Sequence, residues 1–266
     1  MLPLVKKSGF GFWRSKGAAV GLVCLLAGAA QAQNSLFTNL LAHGEVCELQ
    51  TNVQAALKFY QAAEAAAATN APGLCVLTKH YCDLMRDTPS ANVQKTLAQA
   101  ALACATRAVK ADPKNATAHI CLAIGYAKNF PDVDIHTKVI YSRAIKSECE
   151  KAIALDPNQD LAFYLLGRWN FGVAHMNIFE KGFVKVIYGG LPEASDAAAI
   201  EDFKRAIALS PDRILSHAEL AKVYKAAGDK KLAQTEWKKC CGLKPLDRDD
   251  QAAQQQSAEE LNLMCR

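Results

Sequence analysis

The sequence predicts an all-α protein in which pairs of helices repeat along the chain and stack into a solenoid. Three apolar-periodic segments each run into Asp-Pro or Ser-Pro: ALACATRAVKADPKN, SECEKAIALDPNQD and DFKRAIALSPDR. Because proline cannot continue a helix, each segment ends a helix at an equivalent point. Pro245 follows Pro211 by 34 residues, a period typical of arrays of helix pairs.

The spacing of large and small residues indicates the kind of helix pair. In the last repeat the order is His217, Leu220, Ala221, Tyr224, Ala233 and Trp237, which is the tetratricopeptide pattern. The same order recurs upstream at Leu74, Leu77, Thr78, Tyr81, Ala101 and Ala105; at His119, Leu122, Ala123, Tyr126, Ile145 and Cys149; and at Phe163, Leu166, Gly167, Ala199 and Phe203. Ala56 and Tyr60 fit the second helix of a degenerate opening repeat. We predict a right-handed tetratricopeptide-type solenoid of four to five helix pairs, in preference to an ordinary helical bundle.

Two repeats are longer than the standard period. The proline spacings of 44 and 54 residues place inserts around Asn129 to Lys138 in repeat three and around Ala174 to Ser195 in repeat four. The polar tail from Asp247 to Leu263 predicts a C-terminal capping helix, which keeps the end of a solenoid soluble.

The N-terminus has the three regions of an export signal. Basic residues (Lys6, Lys7, Arg14 and Lys16) precede an apolar run from Gly17 to Ala30, and Ala30-Gln31-Ala32 suits a signal peptidase. The run is shorter than the ~20 residues that span a bilayer. We therefore predict a signal peptide at 1–32 cut after Ala32, a flexible segment at 33–45, a solenoid at 46–266, and a periplasmic or secreted protein without a transmembrane segment. An uncleaved anchor and an organelle transit peptide stay open as alternatives.

Charge and cysteine content narrow the function classes further. Cleavage would leave 27 basic against 26 acidic residues, and this composition predicts no nucleic-acid partner. Nine cysteines would remain, without the C-x-x-C spacing of zinc ribbons or thioredoxins. We expect mainly core thiols, at least five of them free, and consider Cys104 with Cys75 or with Cys121 the plausible disulfide pairs.

The fourth repeat resembles a known family. Leu165-Leu166-Gly167-Arg168-Trp169, Glu180-Lys181 in a long insert and the closing Leu191-Pro192 are similar to the regulator of microtubule dynamics family, and the upstream KVIYSRAIKSECEKAIALDP fits as well. The resemblance covers roughly residues 100 to 245. It implies a tetratricopeptide-like fold and a non-catalytic role, here in an exported bacterial relative. Animal members are associated with microtubules and organelle membranes, so a microtubule-associated role is kept as a minor alternative.

No catalytic, metal or cofactor motif is present in the sequence. It lacks H-E-x-x-H, G-x-S-x-G, a P-loop and a dinucleotide fingerprint, and its six histidines are scattered. His119 and His217 fall at the bulky interior position of a first helix, where we expect them to pack rather than bind a ligand. We predict that the protein is not an enzyme and needs no metal or cofactor.

The concave face carries the predicted binding site. In this fold the first helix of each pair lines the concave face. Counting along each repeat from its bulky motif residue, we expect seven residues on that face: Lys79, Lys128, Tyr164, Arg168, Phe171, Lys222 and Lys225. Basic groups interleaved with aromatic rings suit an acidic peptide, a terminal carboxylate or a lipid head group. A lysine-rich solvated face is the alternative. Arg168, the strongest candidate, could instead pair with Glu180 and serve the fold.

The insert in repeat four has an apolar stripe at helical spacing. Its residues are Ile178, Phe179, Phe183, Val186 and Ile187. We expect an extra helix packed on the solenoid, and a homodimer patch or a lid over an apolar ligand is the alternative.

Together these patterns predict a non-catalytic scaffold of the cell envelope that binds a protein or peptide on its concave face. A carrier that encloses a lipid or other apolar ligand is the alternative function. Partner identity, disulfide pairing and oligomeric state do not follow from the sequence.

Overall fold

The computed structural model describes the backbone of residues 16–66 and 70–264, and side chains from residue 31 to 263 within those ranges. The described chain forms twelve α-helices: α1 Lys16–Leu49, α2 Val53–Ala66, α3 Ala71–Arg86, α4 Ala91–Ala111, α5 Ala116–Asn129, α6 Ile135–Leu155, α7 Asp160–Ala174, α8 Ile178–Tyr188, α9 Asp196–Leu209, α10 Ile214–Ala226, α11 Lys230–Gly242 and α12 Arg248–Met264. None of the helices within these ranges is apolar over a length that could cross a membrane.

The helices pair as the repeat pattern predicts. Repeats one to five are α1 with α2, α3 with α4, α5 with α6, α7 with α9, and α10 with α11. The first helices of repeats two to five also contact one another in succession, α3 with α5, α5 with α7 and α7 with α10, and they form the inner layer. This arrangement confirms the predicted tetratricopeptide-type solenoid.

Close packing at the small positions holds each pair together. Ala199, Phe203 and Ala206 of α9 are fully buried against α7. A methyl group on Gly167 would lie 2.8 Å from the Phe203 ring, so the glycine sets how closely α7 and α9 approach. The described buried residues form three core clusters: one in repeats one to three, one in repeats three to five, and a small one between repeat five and α12.

Two inner histidines anchor their repeats by the same polar network. The Nδ1 atom of His119 is 2.5 Å from Oε2 of Glu148, and its Nε2 is 2.9 Å from the Pro113 carbonyl. His217 makes the equivalent contacts, at 2.6 Å to Glu236 and 2.9 Å to the Pro211 carbonyl. Both histidines are buried and fully hydrogen-bonded, as expected for packing residues.

Both inserts lie where the sequence places them. In repeat three a 3-10 turn at Phe130–Asp132 precedes α6, which is 21 residues long against 14 in α9. In repeat four the insert forms α8, which contacts α6.

The expectation that the apolar stripe of α8 packs on the solenoid was wrong. The opposite face of α8 meets the body through buried Val184, and Arg143 of α6 donates hydrogen bonds to the carbonyls of Tyr188 and Gly190. The stripe points outward, with Ile178 79% and Phe179 86% exposed and Phe183, Val186 and Ile187 also exposed.

The N-terminal segment also differs from expectation. Residues 33–45 are not a flexible segment but part of α1, because apolar side chains there pack on α2 and the core cluster of repeats one to three. Phe37, Leu40 and Leu41 contact the core, and Gly44 is buried against the Tyr60 ring. The predicted signal peptide lies at residues outside the described side chains, apart from Gln31 and Ala32.

The eight described cysteines from Cys47 to Cys241 are all free thiols, which agrees with the expectation of at least five. The two disulfide pairs that we considered plausible from the sequence, Cys104 with Cys75 and Cys104 with Cys121, were wrong. Cys121 lies beside Cys75, with its thiol 3.8 Å from the Cys75 carbonyl, because α3 and α5 are adjacent inner helices. Cys104 lies on α4, where its thiol is near Glu64 instead. Cys265 is outside the described residues.

Helix α12 takes the place of a first helix of a sixth repeat. Gln251 follows Pro245 by six residues, as His119, Phe163 and His217 follow their own prolines. Buried Ala253 packs on α10 and α11, and the amide of Gln254 donates to the carbonyls of Cys240 and Leu243 at 2.9 and 2.8 Å. The predicted capping helix is therefore also a lining element of the concave groove.

Candidate functional site

Arg168 and Tyr164 lie one turn apart on α7, in the inner layer. The guanidinium carbon is 5.9 Å from the centroid of the Tyr164 ring, a cation–π contact. Burial raises the pKa of Tyr164 to about 12, so its hydroxyl stays protonated at neutral pH. Arg168 itself is exposed, and no described carboxylate lies within 4 Å of it. The alternative that Arg168 pairs with Glu180 is therefore not what the structure shows.

Three of the predicted lysines have carboxylate partners. Lys79 binds Asp83 at 2.5 Å, Lys222 binds Glu219 at 2.8 Å, and Lys225 binds Glu260 of α12 at 2.6 Å. Such exposed ion pairs leave less charge for a ligand than the sequence alone suggests.

The other two predicted residues differ from each other in exposure. Lys128 is exposed, and no described carboxylate lies within 4 Å of it. Its charge partly offsets the burial that raises the pKa of Cys82 to about 11. Phe171 is half-buried and its ring centroid lies 4.4 Å from that of His175. Lys128 is thus an exposed cation on α5, and Phe171 packs against His175 near the end of α7.

Two ion pairs join α12 to the early repeats, and we call them the Arg-Asp clasp. Arg86 at the end of α3 binds Asp249 at 2.5 Å, and Asp87 binds Arg248 at 2.5 Å, so the two Arg-Asp dipeptides pair crosswise. The partners are 163 and 161 residues apart in the chain. Sequence reasoning missed Arg86 and Arg248, although the six-residue spacing after Pro245 could have placed α12 in the inner layer.

A group of potential metal ligands lies beside the clasp. Ligand atoms of Glu48, His80 and Asp83 are all within 4.8 Å of one another. Glu48 already accepts hydrogen bonds from Tyr60 and His80, and Asp83 binds Lys79 and Arg86. This is the bonding of a charge network, in which cations of the protein already neutralise the carboxylates.

A cleft of about 580 Å³ separates α8 from the start of α9. Its walls combine apolar groups, including Val173, Val184 and Leu191, with the two lysines Lys181 and Lys185. The predicted lid or interface residues Ile178, Phe179, Phe183 and Ile187 lie outside this cleft, on the exposed face of α8. Because α8 packs on α6, an outer helix, these four side chains do not face the concave groove.

Comparison with known families agrees with the repeat-four motif and the fold. The family described as regulator of microtubule dynamics protein 1-3 matches residues 40–264, which is most of the chain. The protein belongs to this family. The match begins within α1 and includes α12, so both ends of the described solenoid are part of the regulator of microtubule dynamics fold.

Individual relatives are similar over the solenoid but are longer. Regulator of microtubule dynamics protein 3 of Xenopus laevis is 27% identical over 179 residues, 65% of this chain and 38% of its own. Protein 2 of Bos taurus is 25% identical over 172 residues, 64% of this chain and 32% of its own. Protein 1 of Mus musculus is 27% identical over 169 residues, 63% of this chain and 55% of its own. The chain thus spans about a third to about half of the length of these relatives.

A solved structure shows the same architecture. A thermophilic tetratricopeptide protein of Thermus thermophilus superposes with a TM-score of 0.58 at 18% identity. The superposition covers 84% of this chain and 98% of that one. At this identity the similarity shows the fold alone.

Proposed function

We propose that the protein is a non-catalytic scaffold of the cell envelope that holds a protein or peptide with an anionic group in its concave groove. The observation that carries this proposal is Arg168, an exposed guanidinium beside Tyr164 with no described carboxylate within 4 Å. A guanidinium binds a carboxylate or phosphate through two parallel hydrogen bonds, and the adjacent ring covers an apolar part of the same ligand. The helical-repeat fold supports a binding role rather than a catalytic one.

Affinity capture from the envelope fraction of the source organism tests this function. Immobilised wild-type protein should retain a partner, and Arg168→Ala should weaken the affinity of the recovered partner by ~1.5–3 kcal/mol, the scale of a charge-assisted hydrogen bond. Lys204→Ala, an exposed cation on outer helix α9, is the matched control and should bind normally. Lower thermal stability of Arg168→Ala with unchanged affinity would contradict the proposal.

The groove lysines should contribute less than Arg168. Lys222 and Lys225 already bind Glu219 and Glu260, so removing both lysines should lower partner affinity only slightly and flatten its salt dependence. If removing both lysines weakened partner binding as much as Arg168→Ala does, the binding site would be centred on α10 and not on α7.

A second candidate function, carriage of a lipid or other apolar ligand, is favoured by the surface around α8. Five large apolar side chains are exposed there, beside a cleft with apolar walls and two lysines. Native mass spectrometry of the purified protein would detect a retained ligand, and Phe179→Ser should release it. The names of the relatives make microtubule association a minor alternative, which co-sedimentation with stabilised microtubules would test.

A further inference from the structure

The Arg-Asp clasp places a carboxylate of the chain's own α12 on the inner face of the solenoid. Asp249 is half-exposed and binds Arg86 directly. It also acts on α7: the pKa of Arg168 is raised by Tyr164 first, and by Glu219 and Asp249 as well. Asp249 therefore binds the cation of α3 and acts electrostatically on the cation of α7, as the anionic group of a groove ligand would.

The Arg86–Asp249 pair is the solvent-exposed part of the clasp. Asp249 is 51% exposed, and exposed ion pairs contribute little to stability and are screened by salt. Arg248 is held more firmly, because both of its terminal nitrogens bind Asp87, which is 11% exposed. Asp250, which follows Asp249, is fully buried and accepts hydrogen bonds from the backbone N–H groups of Leu215 and Leu246 at 3.0 and 3.1 Å. The clasp can thus open at the Arg86–Asp249 pair while Asp250, Ala253 and Gln254 keep α12 on the last repeat.

We infer that Arg86 and Arg168 form a subsite for a carboxylate-rich segment of a partner protein, and that Asp249 and Arg248 hold this subsite closed until such a segment displaces Asp249. The inference rests on the proposed groove function and names the chemistry of its partner. A carboxylate is the group that the subsite already binds, and Arg86, Lys128 and Arg168 supply a complementary charge across three inner helices. Arg86 also binds Asp83 through Nη2, so it offers the ligand the Nη1 side that Asp249 occupies. Lys79 and Lys222 are paired within their own helices and have a lesser part.

Two clasp variants with opposite charge changes test the inference. Asp249→Asn removes an acidic group and Arg248→Ala removes a basic one, yet each breaks one ion pair of the clasp. The probe is a short fluorescein-labelled peptide of alternating glutamate and alanine, and its glutamine counterpart is the control peptide. Fluorescence anisotropy should show tighter binding of the glutamate peptide to both variants, about three- to fivefold for Asp249→Asn and less for Arg248→Ala.

Asp212→Asn is the matched control, because it makes the same charge change at an exposed turn of the outer surface. It should bind the glutamate peptide like wild type. Tighter binding by Asp249→Asn together with weaker binding by Arg248→Ala would mean that net charge alone governs affinity, and would overturn the clasp. Equal affinity of wild type and both variants would overturn it too, while leaving the groove function in place.

The combined variant Arg86→Ala/Arg168→Ala tests the carboxylate subsite separately from the proposed scaffold function. It should reduce glutamate-peptide binding at least tenfold, since both guanidinium groups are gone. Melting temperatures confirm that each variant is folded. If neither wild type nor any clasp variant binds the glutamate peptide, although the protein captures a partner through Arg168, the partner is not carboxylate-rich and the inference fails alone. If capture fails as well, the proposed function fails with it.

Discussion

At Gly167 the absence of a side chain sets the distance between α7 and α9. Any Cβ atom there would lie 2.8 to 2.9 Å from three carbons of the Phe203 ring, which is itself fully buried. Tyr164 packs beside this ring, with the two ring centroids 6.1 Å apart. The small residue of the repeat motif is therefore a steric requirement of the helix crossing.

Gly167→Ala should lower the free energy of unfolding by ~1–3 kcal/mol, the usual cost of overpacking a core. Gly172→Ala is the control on the same helix, because a Cβ atom there meets nothing within 4 Å. That substitution should be neutral or stabilising by up to ~1 kcal/mol, since alanine favours helix over glycine. Urea unfolding of both variants measures the difference, and equal stability would show that α7 and α9 do not cross at residue 167.

Asp202 is a partly buried carboxyl group whose environment disfavours its charged form. Burial raises the pKa of its carboxyl group to about 6, although the Asn170 amide donates to it at 2.8 Å and counteracts part of the effect. Glu201 next to it raises the pKa further. Because the folded protein holds this proton more tightly than the unfolded chain, the group stabilises the fold below about pH 4 and loses that contribution as pH rises through 6.

Asp202→Asn should consequently stabilise the protein above pH 7, by about 1–2 kcal/mol once partial solvation of the group is allowed for. At pH 4, where the wild-type carboxyl is protonated, the two proteins should have the same stability. Thermal unfolding across this pH range checks the sign. A constant difference in melting temperature at all pH values would show that ionisation of Asp202 is not its origin.

At the scale of the elements, repeats three and five are each held by a charged link between their two helices. Burial alone would raise the pKa values of Glu148 and Glu236, but hydrogen bonds from the histidine and a lysine outweigh it, and both pKa values fall below the ordinary value. The lysines, Lys151 and Lys239, lie three residues after their glutamates. Repeat four has Phe163 at the histidine position and therefore cannot form this link.

Because these carboxyl pKa values are depressed, the links stabilise the fold at neutral pH and weaken as pH falls through the pKa of the folded state, below 4.5. Glu236→Gln should lower stability at pH 7 by about 1–3 kcal/mol and make the remaining stability less sensitive to acid between pH 5 and 3. Exposed Glu259→Gln on α12 is the control and should retain the wild-type acid profile. An unchanged acid profile for Glu236→Gln would exclude the link as a source of pH dependence.

The sequence predicts these elements well because the information is local. Large and small residues recur in the same order in repeats two to five, and Pro113, Pro157, Pro211 and Pro245 follow the second helices of those repeats. The orientation of α8 was not predictable in the same way. Its five-residue stripe looks like a packing face, yet the single opposite residue Val184 is the buried one, because Arg143 fixes the end of α8 to α6.

The candidate site was predictable only in part. Arg168 and Tyr164 follow from repeat register, and the structure brings them together. Lys79 and Lys222 bind acids of their own helices, whereas the partner of Lys225 is Glu260, which comes from another element, α12. The clasp joins residues more than 160 positions apart, and the curvature that brings them together is a sum of small rotations over five repeats.

For the whole molecule, the packed part of α1 begins near the predicted cleavage point. Among the described residues, the first long-range hydrogen bond of α1 is donated by the side-chain amide of Gln33 to the Ala66 carbonyl, at 2.9 Å. Further along α1, Phe37, Leu40 and Leu41 pack on the core. A chain that starts at Gln33 therefore keeps the contacts that cover Tyr60.

A protein beginning at Gln33 should melt within a degree or two of the full chain. One that begins at Asn52 loses α1 and exposes the faces of Tyr60 and Ala63, so it should melt at least ~5 °C lower or aggregate. Mass spectrometry of the N-terminal peptide of the native protein checks the proposed export independently, and the peptide should begin at or near Gln33. An intact Met1 in a cytosolic fraction would exclude cleavage after Ala32.

The clasp also has a consequence for the order in which the chain is made. Repeats in a solenoid need only their neighbours, so repeats one to four can fold as soon as each leaves the ribosome. Arg86 and Asp87 are synthesised 163 and 161 residues before their partners Asp249 and Arg248. Until α12 has been made, the inner surface is therefore open to acidic segments of other proteins.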